Sequence, residues 1–223
     1  AGSALIISLL LAAVVSLFTA LNIAELSAAM PKEGGSYEFA HELVSPFVGF
    51  TAGWMWLISN IFVGTALSLG FSHYLASLFP EIPVKPTAIM VTAVFALVNI
   101  LGAKSSAALN NFLVGGKLLI LGFFVAFGSF HITWTNLTPF SAFEPGVLYG
   151  AYFVFFAFTG FARVSLLSEE VQNAKKNVPR SIFLALLIST IVYIAVGFVA
   201  VGLVGAEKLK DSASPLVTAI NSK

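Results

Sequence analysis

Few residues in this 223-residue chain could do chemistry, and those few stand in unusual places. Lys117 is alone in the apolar run FLVGGKLLILGFF. A cation near the centre of a bilayer-spanning helix costs about 2.5–3.5 kcal/mol on insertion scales. Two outcomes are open for it. The side chain can snorkel to an interface, since it lies about 10 Å along a helix from Asn110. Alternatively it faces other helices, where desolvation disfavours the charged form and lets a lysine release and rebind a proton. A second place is Thr159-Gly160-Phe161, where an apolar run rich in aromatics stops after roughly 16 residues, against the ~20 that a span needs. Gly weakens a helix interior by about 1 kcal/mol relative to Ala, and Thr159 can compete for backbone hydrogen bonds. At membrane depth, unwound backbone is tolerated only against protein or a water-filled cavity. Its unpaired N–H and C=O groups suit the carboxylate and ammonium of a zwitterion. An ordinary helix with one tolerated Gly is the alternative, at even weight. Around the break, Phe156, Phe158 and Phe161 can close over a ligand and favour its cation by cation–π attraction. With Thr159 and Gly160 they form the candidate binding set. For any one of the 22 phenylalanines, packing against neighbours or lipid is the simpler role. Arg163 either meets a ligand carboxylate or pairs with Glu169 or Glu170.

The elements that must position these residues are membrane helices. The chain is 58% hydrophobic and 9% charged, with a mean hydropathy of +0.97, whereas soluble domains carry about 25% charged residues. Six hydrophobic segments of helix length are predicted, at about 4–29, 46–79, 86–103, 109–130, 146–170 and 181–205. They make residues 1–206 a single transmembrane domain, with 207–223 a polar connecting segment, helical in part. Period-2 alternation is absent, which excludes a transmembrane barrel. The first segment lacks a basic region before it and a cleavage-like site after it, so it is read as a helix and not a signal peptide. The chain begins without Met and stops in polar sequence, and is read as a fragment. The second segment, at 1.5 Å per residue, would reach roughly 50 Å against a hydrocarbon core of about 30 Å, so it tilts or extends beyond the bilayer. Trp54 and Trp56 are placed as interfacial anchors, and His73 at the opposite interface as a wetted surface residue. Ser105 to Ala108 reads as a loop, and the last helix is read as beginning after Pro179, a favourable residue at a helix start. The bias of Lys and Arg puts the loops with Lys32, with Lys104, and with Lys175, Lys176 and Arg180 on the cytoplasmic side. A net charge of +1 implies no nucleic-acid partner. With no cysteine there is no thiolate metal site, and no cofactor is expected.

Two ordered motifs carry a resemblance. FFAFTGFARVSLLSEEVQNAKKNVPRSI resembles the broken sixth helix and following loop of the amino acid–polyamine–organocation transporters: an FAF-x-GF-like break, the acidic pair Glu169 and Glu170, then Asn173, Lys175, Lys176, Asn177, Pro179 and Arg180. AEL-x-x-x-x-P-x-x-GGSY looks like the first cytoplasmic loop of the same family. The resemblance covers nearly the whole chain. It implies an all-α, polytopic membrane protein, helices two through seven of a leucine-transporter-type inverted-repeat fold. The first helix would then lie upstream of Ala1, and helices eight onward beyond Lys223. It further implies that Glu25, Pro31, Gly34, Gly35 and Tyr37 lie near the inner gate. By position, Glu169 and Glu170 would face the cytoplasmic interface and hold that gate or loop. NNFLVGGKLLILGFF is similar to the fifth helix of proton-coupled relatives, which favours a coupling role for Lys117. One departure matters: many relatives place an acid directly after the GF pair, where this chain has Ala162 and Arg163. A coupling acid at that place is not carried over.

The expected function is secondary active transport of amino acids or a related amine through the cell membrane, with a proton as partner and the bilayer as solvent. Exchange or antiport, and a non-transporting scaffold or sensor on a transporter fold, are the alternatives. A membrane-embedded enzyme would need paired acids, a metal set or a Ser/His arrangement at membrane depth. No HExxH or GxSxG occurs, and the three His are scattered.

Overall fold

The structure, a computed structural model, describes residues 2–100, 103–138 and 145–222. Lipid offers no partners for backbone N–H and C=O groups, so a spanning chain must pair them within each segment. The elements that follow from this are helical throughout the described residues. A 3-10 turn at Gly2–Ala4 leads to α1 (Leu5–Ala29), α2 (Ser36–Leu43), α3 (Pro46–Leu78), α4 (Val84–Ile100) and α5 (Ala103–Ser129). A 3-10 turn at Trp134–Leu137 is followed by α6 (Pro145–Phe158), a 3-10 helix over Thr159–Glu170, α7 (Ala174–Val204), α8 (Ala206–Lys210) and α9 (Pro215–Ile220). Among the described residues five stretches are long and apolar enough to cross a membrane: Leu5–Ala29, Pro46–Leu78, Leu109–Ser129, Gly146–Leu166 and Ala174–Val204. α4 is apolar but has 17 residues, which cover about 25 Å of a ~30 Å core. The chain is an all-α, polytopic membrane protein.

It divides into two compact units. The first comprises Ala1–Ile58 and Pro139–Phe198. There α1 buries Ser8, Leu9, Ala12, Ser16, Ala20, Ala24 and Ser27, a stripe of small residues close to every fourth position. Lipid gives helices no hydrophobic reason to associate, so close backbone approach through small residues takes over that role. α1 packs chiefly along α6 and the 3-10 helix, and Ser8 Oγ donates to Val147 O at 2.8 Å. The core is completed by Phe158 and Phe161 and, from α7, Val178, Ile182 and Leu186.

The second unit comprises Ser59–Thr138 and Val199–Lys223. Thr92 Oγ1 on α4 donates to Ser68 Oγ on α3 at 2.8 Å. Gly128 on α5 receives the Val199 side chain, and Gly202 faces Ile132. The end of α7 is closed by two bonds to Gly202 O, from Thr133 N–H at 2.9 Å and Asn136 Nδ2 at 3.0 Å.

Three boundaries differ from the expected ones. Residues 105–108 are helical, because α5 begins at Ala103; Ala, Ser and Lys carry little or no helix penalty. Pro179 lies inside α7, five residues after its start, and not ahead of the helix. The turn before it does not depend on the missing proline N–H. It is held by Lys176 N and Asn177 N donating to Asn173 O, and by Asn177 Nδ2 donating to Gln172 O at 2.6 Å. The third difference is the break itself.

Candidate site at the 3-10 segment

α6 ends at Phe158, and the chain then winds as a 3-10 helix for 12 residues. Runs of this kind longer than three or four residues are uncommon. Three hydroxyls bond back along it. Thr159 Oγ1 donates to Phe156 O at 2.9 Å, Ser165 Oγ to Ala162 O at 2.7 Å, and Ser168 Oγ to Ser165 O at 2.8 Å. Each hydroxyl reaches back three residues, the repeat of the 3-10 helix itself. The tighter winding rises about 2.0 Å per residue, so this stretch covers about 24 Å where an α-helix would cover about 18 Å. The interruption expected at Gly160 is thus a change of winding that begins at Thr159.

The five residues of the expected binding set divide. Phe158 and Phe161 are 3% and 7% exposed and belong to the core formed with α1 and α7. Phe156, Thr159 and Gly160 are exposed. A Cβ built at Gly160 meets no described atom within 4 Å. One face of the break is therefore anchored in protein and the other is accessible. Tyr193 of α7 adds a contact the sequence reading missed: its hydroxyl donates to Ala157 O at 3.0 Å. A tyrosine inside an apolar helix, whose hydroxyl needs an acceptor there, was the available signal.

The first loop docks on the far end of the 3-10 helix. Gly34 and Gly35 have φ of +105° and +53°. A Cβ at Gly35 would lie 2.9 Å from Ser165 Oγ and 3.0 Å from Leu166 Cδ2. Both the backbone angle and the approach require glycine there. Glu169 Oε1 accepts the Glu33 N–H at 3.2 Å, so one of the two expected loop carboxylates makes a defined contact. Glu170, Glu25 and Arg163 are exposed. Tyr37 lies on α3 at Gly53, and His41 at Gly49; the Gly49-x-x-x-Gly53 spacing is a small-residue contact motif that the sequence reading passed over. On the outer edge of α2, Lys32 Nζ bridges Glu42 at 3.0 Å and Glu38 at 3.1 Å. The bonds to Glu42 and then Glu38 hold the Lys32 ammonium above its ordinary value. The bond from Lys32 holds the Glu42 carboxyl below its own. This pairing is lost as pH falls through the lowered Glu42 value or rises through the raised Lys32 value.

A depression of about 610 Å³ lies beside this loop, lined by Pro31, Ser168, Glu169, Asn173, Lys175 and Lys176 among others. It is at the end of the 3-10 helix and not at Phe156–Phe161. Lys117 is exposed on α5 and belongs to the second unit, whereas the break and the docked loop belong to the first.

A family model described as Amino acid permease matches residues 1–221. Among curated proteins, the chain is 33% identical over 229 residues to a methylthioribose transporter of Bacillus subtilis (strain 168), covering 94% of this chain and 50% of that protein. It is 33% identical over 225 residues to a branched-chain amino acid permease of the same organism, covering 92% of this chain and 48% of the permease. A low-affinity putrescine importer of Escherichia coli (strain K12) is 32% identical over 188 residues, or 80% of this chain and 42% of the importer. The chain spans about half the length of the curated relatives it matches.

Proposed function

The chain belongs to the amino acid permease family, and from that membership we propose that the protein is a secondary active transporter of amino acids or a related amine. It works across the cell membrane by alternating access, with a proton as co-substrate. The observation that carries this reading is the change of winding at Thr159, inside an apolar stretch that runs on to Leu166. Interrupted helices are where transporters of this architecture hold charged substrate groups. Thr159 and Gly160 are exposed where the winding changes, and Phe156 supplies an apolar and cation-attracting wall. Phe158 and Phe161 serve the same site from beneath by holding the break against α1 and α7. The amine alternative is supported by the putrescine importer among the relatives. Proton coupling is assigned to Lys117, the lone cation in the apolar part of α5.

The test is uptake by the full-length protein in proteoliposomes, with Gly160→Leu as the variant. A Cβ at Gly160 finds open space, so the variant is expected to fold and insert. Its leucine fills the accessible face of the break, and substrate binding is expected to be abolished. Unchanged affinity would remove the break from the site. A scaffold or sensor would move no substrate under any gradient, whereas an exchanger would move labelled substrate only against substrate on the other side.

A further inference from the structure

Tyr193 stands about midway along the apolar part of α7, some 17 Å of helix from Ile182 and equally far from Val204. A phenol hydroxyl inside an apolar helix gains from an acceptor within the protein. It takes the Ala157 carbonyl at 3.0 Å, while its ring lies edge-on to Phe158, with centroids 5.2 Å apart and 73° between the planes. Ala157 and Phe158 are the last two residues of α6. In an uninterrupted α-helix the Ala157 carbonyl would accept the N–H of Phe161, four residues on. The hydroxyl therefore occupies one lone pair of the carbonyl that a continuous helix would use, and lowers the cost of leaving it without its partner four residues on.

We propose that Tyr193 is the positioning residue of the break: its hydroxyl holds α6 to an end at Phe158, and so keeps the change of winding at Thr159 and Gly160 that the substrate site uses. This rests on the reading of the break as the substrate site. The ring and the hydroxyl have separable roles. The ring packs Phe158 into the core, whereas the hydroxyl selects the winding. Removing the hydroxyl alone lets the continuous helix compete, which lowers the fraction of molecules in the binding-competent form. Apparent affinity falls in proportion to that fraction, while the rate at saturating substrate is spared.

The experiment uses the full-length protein in proteoliposomes with an imposed gradient. The probe is whichever of the twenty amino acids or putrescine the wild type accumulates most. With the two windings evenly matched, one net hydrogen bond is a factor of about five in their ratio and about three in the competent fraction, so Tyr193→Phe is expected to raise KM about threefold, with Vmax and the thermal melt close to wild type. KM within twofold of wild type overturns the proposal, and so does a parallel fall of Vmax and thermal stability, which marks a packing role alone. A second measurement does not depend on transport. In Gly160→Cys, at an exposed position with open space for a Cβ, the thiol is labelled by a small maleimide. Labelling is expected to slow about threefold when Tyr193→Phe is added, by the same shift in population. An unchanged labelling rate overturns the proposal. Absence of any uptake by the wild type, with labelling slowed as expected, refutes the substrate reading and leaves the winding role of Tyr193 standing.

Discussion

At the scale of single residues, Lys117 separates charge anchoring from coupling. It lies about 12 Å along the helix from Leu109 and about 18 Å from Ser129, the ends of the apolar stretch, and its neighbours Leu113, Leu118 and Leu119 are exposed. Facing lipid there would cost a charged lysine about 2.5–3.5 kcal/mol. Under the coupling assignment, Lys117→Ala and Lys117→Arg are expected to abolish pH-driven accumulation alike, because arginine does not release its proton at working pH. A snorkelling lysine behaves differently: arginine would reach the interface and preserve transport. Substrate accumulation against an imposed pH gradient, measured for the three proteins, distinguishes them. Wild-type gradient dependence in the arginine variant would leave Lys117 as an anchor.

At the scale of elements, the 3-10 helix and the first loop support one another. Gly35 is the tightest point of that contact, with a positive φ and no room for a Cβ between Ser165 and Leu166. Gly35→Ala is expected to destabilise the docked loop by about 1–3 kcal/mol, the usual cost of a residue held in an unfavourable backbone region. Limited proteolysis of the loop and the thermal melt in detergent should both register it, and an unchanged cleavage rate would mean that the loop does not depend on this approach. Much of this was legible in sequence. Gly34-Gly35 announced a turn, Thr159-Gly160 announced an interruption, and Glu169 announced a loop contact. The form of the interruption was not legible. Hydroxyls at 159, 165 and 168 stabilise a 3-10 winding only if the backbone already offers carbonyls three residues back, and a propensity argument contains no such term. Pro179 misled for a related reason: side-chain and backbone bonds to Gln172 and Asn173 hold a helical turn ahead of a residue that lacks a donor.

At the scale of the whole molecule, orientation is the open property that the loops can report. Ser36 and Asn173 are both exposed, and within the first unit the Glu33–Glu169 bond ties their loops together. Cysteines placed at the two positions are expected to be labelled from the same, cytoplasmic side. One at Ser141, outside the described residues, is expected to be labelled from the opposite side. Labelling of Ser36 and Asn173 from different sides would contradict both the Lys/Arg bias and the loop contact. The sequence by itself determined the class of the molecule, its helical segments and its family motifs, because apolar run length and charge depletion are local properties that the bilayer reads directly. Only the tertiary structure decided which aromatics of the break are core and which are accessible. Phe156, Phe158 and Phe161 are the same residue type within six positions, and nothing local tells them apart. Their roles are set by what α1 and α7 place beside them, namely the small-residue stripe of α1 on one side and Tyr193 on the other.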